Sequence, residues 1–111
     1  MNKFSHGKAE LQKMISVNKG VLVYFYNDNC APCITLRPKV QAMVNDVFPL
    51  LHLEFIDSIK CPDLPVAFGV FSSPSILVFF EGKEFLRESK FVSIEALQEK
   101  IKRYYVMVFG I

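Results

Sequence analysis

The sequence predicts an α/β fold built on a mixed central β-sheet flanked by helices. Three observations predict it. Apolar, β-branched runs alternate with stretches of helical periodicity through most of the chain, the pattern of strands joined by crossover helices. The last two strand-like runs are separated only by a tight turn, Glu81-Gly82-Lys83, which adds antiparallel pairing. And 111 residues, 51% of them hydrophobic, suffice for one core but not for two. The expected order is α-β-α-β-α-β-β-α.

Each element has its own warrant. Leu11, Met14, Ile15 and Val17 mark one face of a first helix over roughly residues 7–18, stopped by Asn18-Lys19-Gly20. Val21-Leu22-Val23-Tyr24-Phe25-Tyr26 is apolar on both faces, as in a central strand buried on both sides, and Asn27-Asp28-Asn29 ends it. A second helix is expected from about Ala31 to Phe48, with Ile34, Val40, Met43, Val44 and Val47 as its buried stripe. Pro32 falls in its first turn, where the missing N–H costs little, Pro38 falls inside and Pro49 stops it. Leu51 to Ile56 alternates and reads as a second strand closed by Asp57.

Pro62, Pro65 and Gly69 leave room for at most a short helix before Val70. Ser75 to Phe80 is the third strand and Glu84 to Arg87 the fourth. Ser93 is placed to cap a last helix carrying Ile94, Leu97, Ile101, Tyr104 and Val108 on one face. Residues 1–111 read as a single domain, with 104–111 as an apolar C-terminal extension. Tyr105, Val106 and Phe109 cannot all share the stripe of the last helix, so the tail should fold back over the domain or meet a second chain in a weak homodimer.

Composition removes several classes of function. A net charge of +2, with both signs scattered, gives no basic stripe for nucleic acid. No apolar run approaches the roughly 18 residues of a transmembrane helix, so no membrane association is expected. The N-terminal residues show no apolar leader and no small-residue cleavage site, which points to a cytoplasmic protein. Three cysteines, an odd number, do not make a structural disulfide framework.

The chemistry sits in Cys30-Ala31-Pro32-Cys33. A thiol at the N-terminus of a helix meets unpaired N–H groups and the positive end of the helix dipole, and both favour thiolate. A second thiol three residues on lies one turn away. Strand, C-x-x-C, helix therefore reads as a dithiol–disulfide redox site. Two unreactive cysteines at a helix end, half of a zinc site, and an iron–sulfur cluster bridging two chains are the alternatives. Zinc needs further ligands, and Cys61, His6 and His52 are scattered and form no second motif.

The motifs and their order resemble the thioredoxin family over roughly residues 8–103. Cys30-Ala31-Pro32-Cys33 is similar to that family's Cys-Gly-Pro-Cys, with Ala for Gly. Pro38 sits five residues past the second cysteine, where the family kinks its active-site helix. Ser73-Pro74-Ser75, before an apolar strand, resembles the family's cis-proline loop. The resemblance implies a thioredoxin-like fold with Ser73–Pro74 cis, and thiol–disulfide exchange with protein substrates. It implies Cys30 as nucleophile and Cys33 as resolving thiol, with Asn29, Ala31, Pro32, Ser73 and Pro74 bordering the substrate. It implies an external thiol reductant or reductase and no bound cofactor or metal. A non-catalytic interaction module on the same fold is the alternative.

The chain departs from the family at identifiable places. The short strand that opens the family fold has only Asn2 to Ser5 to supply it. The tryptophan before the first cysteine is Asn29, although an aromatic is kept at Tyr26. The buried acid of the family falls on Tyr24, its lysine partner on Leu53, and the glycine of the last substrate loop on Lys90. Tyrosine, with a reference pKa of about 10, is a poor base near neutrality. Water or Asp28 would then take the proton of the resolving thiol. Cys61 reads as a small core residue, and Phe68, Phe71, Phe79 and Phe80 as core and rim.

Overall fold

The computed structural model describes residues 7–110; the expected strand at Asn2 to Ser5 and the side chain of His6 lie outside them. The elements follow the expected order: α1 (Lys8–Val17), β1 (Gly20–Tyr26), α2 (Ala31–Val47), β2 (His52–Asp57), α3 (Asp63–Ala67), β3 (Ser75–Phe80), β4 (Lys83–Ser89) and α4 (Ile94–Phe109). The sheet runs β2-β1-β3-β4. β1 pairs parallel with β2 and antiparallel with β3, and β3 pairs antiparallel with β4, so the sheet is mixed.

Strand alternation divides the core into two layers. Leu22, Tyr24, Ile76, Val78 and Phe80 face α2 and α4. Val21, Val23, Phe25, Leu77 and Phe79 face α1 and α3. Because β1 carries large apolar groups on both faces, it must lie inside the sheet, and it does.

The faces of α1 and α2 differ from the sequence expectation at four positions. On α2 the buried stripe is Cys33, Leu36, Val40, Met43 and Val44. Ile34 lies on the opposite side and is 64% exposed, whereas Leu36, not anticipated, is buried. Val47, the last helical residue, is also exposed. On α1, Val17 points away from the face of Leu11 and Ile15 and is exposed.

On α4 the buried residues are Leu97, Ile101 and Tyr105, an i, i+4, i+8 series, with Tyr104 and Val108 only partly covered. Of Tyr105, Val106 and Phe109, Tyr105 joins this stripe while Val106 is exposed, so the three do not all share it. Its ring packs 4.9 Å from that of Phe48, and its hydroxyl accepts the Leu50 N–H at 3.1 Å. Phe109 stacks on Tyr105 and closes over Gly20, where an added Cβ would lie 3.1 Å from the Phe109 ring and 2.7 Å from Leu51. The apolar extension is thus the last turns of α4, folded against its own domain.

The β2 strand also corrects a simple alternation. Glu54 is buried and Leu53 and Phe55 are only partly covered. The Glu54 carboxylate meets His52 Nε2 at 2.6 Å.

Candidate functional site: a dithiol at the head of a helix

The site forms where β1 leaves the sheet and β3 enters it. Phe25 pairs with Ser75, so Asn27 and the Ser73–Pro74 peptide emerge at the same sheet end. The Asn27 side chain accepts the Asn29 N–H at 2.9 Å, an Asx turn that reverses the chain, and the Asn27 carbonyl accepts the Cys30 N–H at 3.2 Å. Cys30 is then the N-cap of α2, in extended backbone, and its Sγ accepts the Cys33 N–H at 3.1 Å. A sulfur here does the work usually done by a Ser or Asp oxygen.

Cys30 and Cys33 form a disulfide with their Cα atoms 5.2 Å apart. Cys30 is partly exposed, whereas Cys33 is 1% exposed, so the two sulfurs differ in access. Ala31 and Pro32 sit exposed between them, and Asn29 and Asp28 are exposed on the approach. Ser73–Pro74 is a cis peptide, as the resemblance implies, and Pro74 is buried. Ser73 shares a small cavity with Asn27, Ser58 and the exposed Phe71. The Pro74 carbonyl accepts the Lys90 N–H at 2.9 Å, which ties the start of β3 to the end of β4. Lys90 to Ser93 in turn face Ala31, Pro32, Thr35, Leu36 and Lys39 across an open groove of about 640 Å³.

Beneath the helix lies Tyr24, fully buried, whose hydroxyl donates to the Cys33 carbonyl at 2.9 Å. Burial pushes its pKa up to about 12, and the nearby Arg37 cation opposes that rise. Arg37, one turn past Cys33, stacks its guanidinium 4.3 Å from the Tyr26 ring and 4.6 Å from the Phe55 ring. Arg37, Lys39 and Phe91 escaped the sequence reading. Only the i+4 spacing from Cys33 to Arg37 could have pointed to the first, because the aromatic faces that hold it come from β1 and β2.

Other sequence candidates are not brought to the site. Cys61 is a free thiol buried in the α1/α3 layer, its pKa raised by burial and by the charge of Asp57. His52 lies on β2 against Glu54.

A thioredoxin family model matches residues 3–103. The chain belongs to the thioredoxin family. It is 32% identical over 105 residues to a thioredoxin-like protein of Bacillus subtilis, covering 95% of this chain and 93% of that protein. A thioredoxin of Mycoplasmoides gallisepticum is 28% identical over 95 residues, covering 86% and 94%. Among solved structures, a point-mutant thioredoxin from Halobacterium salinarum superposes with a TM-score of 0.79 at 29% identity, over 89% of this chain and 86% of that one. The thioredoxin of Fasciola hepatica gives 0.77 at 29% identity, over 86% and 91%. Family membership and the paired cysteines together make this protein a thiol–disulfide oxidoreductase.

Proposed function

We propose that the protein reduces disulfides in protein substrates, with Cys30 as nucleophile and Cys33 as resolving thiol. The observation that carries this reading is the unequal access of the two sulfurs at the head of α2, Cys30 partly exposed and Cys33 buried. In the reduced protein the Cys30 thiolate attacks one sulfur of a substrate disulfide. A mixed disulfide forms and the other substrate sulfur leaves as thiolate. The Cys33 thiolate then attacks the Cys30 sulfur, closing the Cys30–Cys33 bond and releasing the second substrate thiolate. Two electrons pass to the substrate, and an external dithiol or reductase restores the pair.

Asn29, Ala31, Pro32, Ser73 and Pro74 border the sulfur that reacts, and an extended substrate backbone lies along that rim. A cytoplasmic setting and a reducing direction fit the free Cys61 and the cytosolic glutathione poise of roughly −220 to −320 mV. Residues 1–111 act as one domain on this reading, and no bound cofactor takes part.

Insulin reduction by dithiothreitol tests the proposal against the non-catalytic alternative. Catalytic amounts of the protein should accelerate it, Cys30→Ser should abolish the acceleration, and Cys33→Ser should trap a mixed disulfide. Alkylation of the reduced protein near neutral pH should label Cys30 well before Cys33 and Cys61. An unaccelerated reaction, or equal labelling of all three thiols, refutes the assignment.

A further inference from the structure

The groove beside the disulfide carries a charge pattern of its own. Its charged lining residues are two lysines, Lys39 on α2 and Lys90 after β4, with no acidic residue among the lining side chains. Nearby cations are committed elsewhere: Arg87 to Glu84 and Lys100 to Glu88, each at 2.8 Å. Among the described residues neither Lys39 nor Lys90 has a carboxylate partner. Glu95, just inside α4, is engaged by the Ser93 hydroxyl at 3.3 Å. Phe91, 95% exposed, lines the same groove beside Val92. A phenyl ring left this open next to a redox disulfide is a contact surface without an internal partner.

Lys90 adds a second observation. Its φ is 64°, in the left-handed region that side chains other than Gly, Asn and Asp rarely adopt. The Pro74 carbonyl holds its N–H at 2.9 Å and so fixes this conformation. A lysine kept where the backbone favours glycine is a candidate for function through its side chain. The chain as a whole carries only +2, so the positive character of the groove is local rather than a general field.

We propose that Lys39 and Lys90 set substrate choice, making the groove select extended protein segments that carry acidic residues, with an apolar side chain against Phe91, next to the cysteine to be reduced. This rests on the disulfide-exchange reading given above. The acidic segment supplies the carboxylates the two lysines lack, and its backbone runs from the dithiol toward α4.

The test uses the full chain, dithiothreitol as reductant, and two peptides with the same disulfide and apolar neighbour, flanked by Glu in one and by Lys in the other. The acidic peptide should show a kcat/KM about five- to tenfold higher at low ionic strength, falling to within about twofold at high salt. Lys39→Gln combined with Lys90→Asn should bring the ratio to within about twofold at low salt, and Lys39→Gln combined with Lys90→Asp should lower it further; Asn and Asp both tolerate the left-handed backbone. The ratio is internal to each variant, so a general loss of rate does not imitate the effect. Equal rates for the two peptides, or a preference that survives the double substitution, overturn the proposal while leaving disulfide reduction intact. Reduction of neither peptide by the unaltered protein overturns both.

Discussion

Replacing Tyr24 by Phe should reverse the sign of its effect on stability as pH rises. At neutral pH the Tyr24 hydroxyl donates to the Cys33 carbonyl at 2.9 Å inside the core. Its removal should cost about 1 kcal/mol, the net worth of a neutral buried hydrogen bond. The native pKa lies near 12 against 10.0 for the free side chain, and the first cause is desolvation of the phenolate. The folded state therefore holds its proton more tightly than the unfolded state does. The stability this represents is fully present below pH 10 and is lost as pH climbs through 12. Two pKa units amount to about 2.7 kcal/mol.

The unaltered protein should thus be more stable than Tyr24→Phe by about 1 kcal/mol up to pH 9. The two should be equal between about pH 10.5 and 11, and the variant should be the more stable beyond that. Urea unfolding of both proteins at matched pH, analysed as a difference, removes the lysines and other groups that titrate in the same range. A difference that stays flat to pH 12 would refute the burial argument. No difference at pH 7 would refute the hydrogen bond.

Arg37→Ala should lower stability by about 1–2 kcal/mol in urea unfolding, through loss of the stack on Tyr26 and Phe55, and Arg37→Lys should recover little because a compact ammonium does not stack. The same Arg37→Ala change should move the alkaline transition of Tyr24, read by ultraviolet titration, to higher pH, since Arg37 now lowers it. Tyr105→Ala should cost about 3–5 kcal/mol and Tyr105→Phe about 1 kcal/mol, because the ring fills the space beside Phe48 while the hydroxyl only satisfies the Leu50 N–H.

What was legible in the sequence was whatever local chemistry decides. The buried run of β1, the cap at Ser93, the Glu81-Gly82 turn and the prolines around α2 each specify their element without help from distant residues, and the element order followed. The Ser93 hydroxyl does accept the Ala96 N–H, at 3.3 Å. Helix faces were read less well where an apolar residue lay off the true stripe. Ile34 is as hydrophobic as Leu36 but sits on the far side of α2, and periodicity among sparse apolar positions did not separate them. Which of Tyr105, Val106 and Phe109 joins the α4 stripe was not legible, because the proximity of Phe48 and Leu50 is what makes Tyr105 core. At the site, Cys30 and Cys33 were visible as a motif, but Arg37 and the groove were not. Both depend on residues distant in the chain, Arg37 with Phe55 and Lys39 with Lys90, brought together by the sheet and the Lys90–Pro74 hydrogen bond.

The departures from the family pattern collect around the dithiol, and they form a consistent chemical set. On the resemblance given above, the family's buried acid falls on Tyr24 and its lysine partner roughly on Leu53. Tyr24 satisfies its one donor on the Cys33 carbonyl and meets the Phe55 ring in a T-shaped contact at 5.6 Å. The positive charge of Arg37 is kept, not against an acid but against the faces of Tyr26 and Phe55, where it needs no anion. A tyrosine held near pKa 12 stays protonated throughout the neutral range and cannot accept a proton from a thiol. Its contribution is positional: it fixes the carbonyl of Cys33 and with it the first turn of α2, on which the reach from Cys33 to Cys30 depends. On the proposed mechanism, with Cys33 as resolving thiol, the proton it gives up passes to water or to the exposed Asp28 rather than to Tyr24.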